Sequence, residues 1–174
     1  TVIAPSFQFI FCYFSFFVKL SDISVILENF KLKEITMVNK VAWITGAGSG
    51  IGEASAIKLS EEGFIVVLSG RTKEALDSVA SKCKGQASVK PLDVSNSEDV
   101  EGVFKNIISH YGRIDVLVAS AGLNAKNRNW HNVSDEDFDQ IIKIDLNGVF
   151  YTNRLVLEKM KEQREGLIIN ISSW

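Results

Sequence analysis

Lys40 to Gly52, KVAWITGAGSGIG, leaves few options for the fold around it. Val41 to Thr45 reads as a buried strand, the glycine cluster after it as a tight turn, and a helix opens at about Ile51. Glycine has no Cβ, so its backbone turns sharply and approaches a ligand closely. A helix N-terminus behind such a turn offers unpaired N–H groups and about half a positive charge. A pyrophosphate fits that arrangement. The spacing is not G-x-G-x-x-G, because Ile51 stands where the last glycine would be. It is T-G-x-x-x-G-x-G, filled by Thr45, Gly46, Gly50 and Gly52. A glycine cluster alone is a weak signal, and the rest of the chain decides what it means.

From Met37 onward strands and helices alternate. Ile65 to Ser69 is a continuous apolar run of the parallel-sheet type. Thr72 to Lys84 reads as a helix with Ala75, Leu76, Val79, Ala80 and Cys83 on one face. Ala87 to Asp93 is a third strand, whose Pro91 is tolerated best at a sheet edge. Asn96 to Tyr111 places Val100, Val103, Phe104, Ile107, Ile108 and Tyr111 at helical spacing, with Ser97 as the expected cap. Ile114 to Ala119 is a fourth strand and Leu123 to Val133 a polar loop. Ser134 to Gln163 reads as helical but broken or bent, with Leu146, Val149, Phe150, Asn153, Leu157 and Met160 on one stripe. Leu167 to Ile171 is a fifth strand. This order predicts an α/β, doubly wound parallel sheet with strands in the order 3-2-1-4-5. Ligands of such sheets bind at the carboxyl ends of the strands, beside strand one. The loops there hold Gly46 to Gly52, Gly70 to Thr72, Asp93 to Ser95, Ser120 to Gly122 and Ser172 to Trp174.

Residues 1–36 differ in character from the rest of the chain. Phe7 to Val18, FQFIFCYFSFFV, is dense in aromatics; a membrane anchor or interfacial segment is one reading of it, disfavoured because it is shorter than the ~20 apolar residues of a spanning helix. No basic residues precede it and no small-x-small site comes after it, so it is a poor signal peptide. With Met37 just before the first strand, the expectation is that residues 1–36 are upstream of the true start or a poorly ordered extension. The folded unit is expected over 37–174. A net charge of −2 gives no reason to expect nucleic acid. Cys12 and Cys83, in dissimilar segments, read as free thiols of a reducing, cytoplasmic compartment. They and the isolated His110 and His131 suggest no metal cluster.

The end of the second strand chooses between dinucleotides. An NAD site places Asp or Glu about 20 residues past the glycines to bind the ribose hydroxyls. In this chain the sequence is Ser69-Gly70-Arg71. No acid repels a 2′-phosphate, and Arg71 can grip one, so NADP(H) is expected over NAD(H). Asp93 can either bond the adenine amino group or serve as a turn residue.

Taken together, these residues resemble the short-chain dehydrogenase/reductase family over about Met37 to Trp174. The joint signature is Thr45-Gly46-x-x-x-Gly50-x-Gly52, Asp93-Val94, Ser120-Ala121-Gly122, Asp145-Leu146-Asn147-Gly148-Val149-Phe150 and Ile169-Asn170-Ile171-Ser172-Ser173, in the family's order. The resemblance implies a Rossmann-like fold and an NAD(P)-dependent interconversion of an alcohol and a carbonyl by hydride transfer. It implies that Thr45, Gly46, Ser49, Gly50, Ile51, Gly52, Arg71, Asp93, Val94, Ala121 and Gly122 form the cofactor site. Ser173 matches the serine that hydrogen-bonds the substrate oxygen. Asp145 stands where the family usually has the Asn that helps hold a proton-relay water, and Ala119 where it usually has the first Asn of Asn-Asn-Ala-Gly. Family members often pair through the helix carrying Asp145 to Gln163, which implies a homo-oligomer.

The family's Tyr-x-x-x-Lys acid/base motif comes after the serine, and none occurs between Met37 and Trp174. Tyr111 and Tyr151 have Asp115 and Leu155 in the lysine position. Loss of general acid/base groups typically removes a factor of about 10² to 10⁴ in rate. Two readings compete: an oxidoreductase of which this chain is an incomplete part, or a truncated product retaining at most nucleotide binding. The first is preferred, because a stop inside an active-site loop has no structural logic. Trp130 and Asn129, in the polar loop, are candidates for a substrate pocket, although a tryptophan in a polar loop is more often a packing anchor.

Overall fold

The computed structural model describes residues 39–124 and 129–172. Residues 1–36, Ser173 and the side chain of Trp130 lie outside the described part. Five parallel strands form one sheet: β1 (Val41–Thr45), β2 (Ile65–Gly70), β3 (Ala87–Pro91), β4 (Val116–Ala119) and β5 (Leu167–Asn170). Their order is β3-β2-β1-β4-β5, as the alternation of elements predicted. Trp43 of β1 lies opposite Val67 of β2 and Leu117 of β4.

Side chains alternate across a strand, so a central strand feeds two cores. On one face Ala42, Ile44, Val66, Leu68, Val116 and Val118 pack against α1 (Gly50–Glu61) and α2 (Lys73–Ala80), through Ala56, Leu59, Leu76 and Val79. On the other, Val41, Trp43, Val67 and Leu117 pack against α3 (Ser97–Tyr111) and α5 (Gly148–Gln163), through Val100, Ile107, Val156 and Met160. Every residue of β1 is buried, which explains its unbroken apolar run. Pro91 ends the edge strand β3, where its missing N–H breaks no outer ladder.

Two local expectations need correction, and the long helical segment is resolved in more detail. The second helix ends at Ala80 rather than Lys84. Lys82 N–H and Cys83 N–H bond the carbonyls of Val79 and Ala80, the tighter three-residue spacing that closes a helix. Lys84 N–H is then captured by Ser60 Oγ of α1 at 2.9 Å. The cap of α3 is Asn96, whose Oδ1 accepts from Glu98 N–H and Asp99 N–H at 2.9 and 3.3 Å; Ser97 is already helical. The 134–163 segment, expected helical but broken or bent, is helical and interrupted in its regularity: α4 (Asp135–Ile141) continues through a π-helical stretch (Ile142–Asn147), a kind of insertion at which helices bend, into α5. The extra residue in that wide turn shifts the helical phase by about 100°. The buried residues of α5 are Gly148, Thr152, Val156 and Met160; of the stripe read from the sequence Met160 is among them, while Leu146 and Phe150 are 60% and 57% exposed.

Candidate functional site

A cleft of about 840 Å³ opens at the carboxyl ends of the strands. Gly46 begins its floor. Its φ is +64°, and a Cβ there would lie 2.6 Å from both Ala121 N and Ser120 O. The turn after β1 thus presses directly on the turn after β4. Thr45 stands behind this contact, where its buried Oγ1 accepts from Ser120 N–H and Ala121 N–H at 3.3 and 3.4 Å. Gly52 lets α1 pack onto the Gly46 carbonyl. Thr45, Gly50 and Gly52 shape the floor, while Gly46, Gly48, Ser49 and Ile51 face the opening. Ser49 is the N-cap of α1, and its side chain makes no capping bond. The first turn of α1 consequently presents N–H groups for an external acceptor.

One wall comes from β2 and β3. Gly70, Arg71 and Thr72 line it, with Arg71 exposed. Asp93 and Val94 continue it. Asp93 Oδ1 accepts from Ser95 N–H at 2.9 Å and from Ser95 Oγ at 2.7 Å. Those bonds, with a smaller contribution from Arg71, hold its carboxyl below the ordinary value. Asp93 is therefore a turn residue that also borders the cleft. Val94 packs closely on Gly148, where a Cβ would come within 2.8 Å of its Cγ2, so α5 starts hard against this wall.

The opposite wall holds Ala121, Gly122, Leu123, Asp145, Asn153, Asn170 and Ser172. Asp145, in the π-helical stretch, accepts Leu123 N–H on Oδ1 at 2.7 Å. Burial raises its pKa above the ordinary value, and the Leu123 bond offsets only part of this. The folded chain thus holds this proton more tightly than the unfolded chain. As pH rises from the ordinary carboxylate value through the folded value, the unfolded state releases its proton first and stability falls. Asp145→Asn removes this titration and keeps an acceptor for Leu123 N–H. The variant is expected to unfold at higher denaturant than the parent at neutral pH, with the difference closing at acid pH. A difference that instead grows on acidification refutes this assignment.

Sequence reading placed Asn153 on an apolar stripe and Asn170 in a motif without giving either a role. A polar residue on an apolar stripe was the available signal. Asn129 caps a short 3₁₀ turn (Trp130–Asn132), accepting from His131 N–H at 3.3 Å, and is not among the lining residues. No cluster of three potential metal ligands occurs among the described residues, and none of their helices is long and apolar enough to cross a membrane.

The pattern matches known proteins. The model of the short chain dehydrogenase family aligns with residues 40–174. An uncharacterized oxidoreductase of Staphylococcus aureus (strain USA300) is 43% identical over 139 residues, covering 79% of this chain and 59% of the relative. A 3-oxoacyl-(acyl-carrier-protein) reductase of Thermotoga maritima is 38% identical over 137 residues, covering 77% and 55%. The chain thus spans somewhat over half the length of these relatives. Among solved structures, a metagenomic short-chain oxidoreductase in complex with NADP superposes with a TM-score of 0.76 at 32% identity, covering 80% of this chain and 65% of that one. A 3-ketoacyl-(acyl-carrier-protein) reductase from Brucella melitensis complexed with NADH gives 0.74 at 34%, covering 79% and 59%.

Proposed function

Because this chain belongs to the short chain dehydrogenase family, we propose that it is the dinucleotide-binding part of an NAD(P)-dependent oxidoreductase that interconverts an alcohol and a carbonyl, with NADP(H) preferred. The observation carrying the preference is Arg71: it lines the cleft beside Gly70, and no carboxylate stands at the end of β2. Relatives in this fold are seen with NADP and with NADH, so the choice rests on this chain's own residues.

The cleft fits a dinucleotide. Gly46 leaves the floor free of side-chain bulk, and the open first turn of α1 faces it. In this reading the backbone around Gly46, Ser49 and Ile51 holds the pyrophosphate and Arg71 the 2′-phosphate. Asp93 and Val94 border the adenine, and Ala121 and Gly122 the adjoining ribose. The bound nicotinamide would supply or accept the hydride. Ser173 holds the substrate oxygen by hydrogen bonding. Asp145 fixes the loop after β4 through Leu123. Residues 37–174 contain no Tyr-x-x-x-Lys, so this unit is proposed to bind nucleotide without turning it over by itself. The whole protein is proposed to be a cytoplasmic homo-oligomer acting on a small molecule, and residues 1–36 to lie outside the domain.

Titration of the purified chain with NADPH and NADH tests this. The parent should prefer NADPH. A charge-assisted hydrogen bond contributes about 1.5–3 kcal/mol, so Arg71→Ala should weaken NADPH by roughly 10- to 150-fold. NADH affinity should stay within about twofold, since its ribose offers Arg71 no second charge. Equal losses for both nucleotides would overturn the assignment of Arg71.

A further inference from the structure

Asn153 of α5 and Asn170 at the end of β5 face each other across one wall of the cleft, and Asn153 Nδ2 donates to Asn170 Oδ1 at 3.0 Å. The other end of the Asn153 amide, Oδ1, is shut off from solvent and meets no donor among the described residues. A buried polar atom without a partner destabilises a fold, so an apolar residue of similar size would suit the packing better.

The position of the pair suggests what it does. β5 pairs with β4, Val116 lying opposite Leu167 and Ala119 opposite Asn170. Its last ladder bond is Ile171 N–H to Ala119 O at 2.9 Å. Ser172 comes next and lines the cleft. The Asn153 amide grips this end of β5 from α5. We propose that Asn153 is a positioning residue: acting through Asn170, it sets the carboxyl end of β5 up to Ser172, where that end lines the cleft. The proposal rests on reading the cleft as the nucleotide site, but the bridge can be tested without nucleotide.

Asn153→Leu, Asn170→Leu, the double variant and Asn153→Asp are compared with the parent chain by thermal unfolding, amide hydrogen exchange and NADPH titration. Asn153→Leu should melt no lower than the parent, because it removes the orphaned acceptor. Exchange at the Ile171 amide should nevertheless accelerate about tenfold while β1 stays protected, and NADPH should bind several-fold more weakly. Asn170→Leu should behave alike, and the double variant no worse than either single change, as expected for two residues acting as a unit. Asn153→Asp still accepts from a turned Asn170 amide and should keep the protection at Ile171. Unchanged exchange at Ile171 in Asn153→Leu overturns the proposal. So does a lowered melting temperature with faster exchange in β1 and β5 alike, which marks general structural support. If Asn153→Leu does not fold, Asn153→Asp decides: lost protection at Ile171 overturns the proposal and retained protection supports it. Selective loosening at Ile171 in a chain whose parent binds no NADPH supports the positioning role and refutes the nucleotide reading.

Discussion

Gly46→Ala is expected to destabilise the chain by several kcal/mol and to abolish dinucleotide binding. Two independent penalties meet at this position. The backbone is left-handed at φ +64°, which costs an L-residue about 1–2 kcal/mol. The new Cβ would also fall 2.6–2.7 Å from Ala121 N, Ser120 O and Ala121 Cα. All three are backbone atoms, so no side chain can rotate away, and the ends of β1 and β4 must separate. That separation breaks the bonds from Ser120 and Ala121 to Thr45 Oγ1 and opens the floor of the cleft. A total of about 3–5 kcal/mol is a large share of the ~5–15 kcal/mol that stabilises an ordinary domain. Gly50→Ala provides the contrast. It has nearly the same φ, +59°, with nothing within 4 Å of an added Cβ. Only the backbone penalty of about 1–2 kcal/mol applies, and the chain should fold. Urea unfolding of the two variants separates strain from close contact. Equal losses would show that the press of β1 on β4 is not what requires glycine at 46.

Asp115→Ala should cost about 3 kcal/mol, near the lower end for removing one partner of a buried ion pair, and lower the melting temperature by roughly 10 °C. Asp115 is 4% exposed, at the end of the sheet away from the cleft. Its Oδ2 accepts Val41 N–H at 2.8 Å and Arg113 Nε at 2.8 Å, and Oδ1 takes the second arm of the guanidinium. Its backbone N–H bonds Val41 O, and its carbonyl accepts Leu167 N–H. One residue thus joins the amino ends of β1, β4 and β5. Alanine keeps the backbone bonds but strands the Val41 N–H and leaves Arg113 only the more distant Glu165 carboxylate, at 3.7 Å, among the described residues. Arg113 is partly exposed and can turn to water, which keeps the loss near the lower figure. Asp115→Asn retains an acceptor for Val41 N–H and should lose less than half as much. Because the cleft lies at the opposite end, NADPH affinity in the folded fraction should not change. A variant that melts like the parent would show that the Val41 N–H finds another partner.

The repeating alternation of apolar runs with amphipathic stretches was enough to give the parallel sheet and its strand order. A strand buried on both faces cannot hide its composition: β1 is VAWIT and β2 is IVVLSG. Gly46, Gly50 and Gly52 were legible for a similar reason, since a turn that must bend sharply or accept close backbone contact admits little else. Sequence likewise placed Arg71, Asp93 and Ala121 in loops that meet at one end of the sheet, and they line one cleft together with Asp145 of the π-helical stretch. What sequence could not supply were quantities that depend on phase and on partners far along the chain. Apolar character alone did not decide the inward face of α5: it is Gly148, Thr152, Val156 and Met160, and it leaves Leu146 and Phe150 exposed. Asp115, tied to Val41 across 74 positions, looked like a strand residue of no special role. The bridge between Asn153 and Asn170 joins two residues from separate elements, and no spacing rule reaches across such a gap. The sequence by itself determined which segments are buried, in what order they stack, and where backbone must approach backbone, because those depend on local composition and periodicity. Tertiary structure alone decided which polar groups find partners, because a hydrogen bond is settled within a few tenths of an ångström by elements that meet only once the chain has folded.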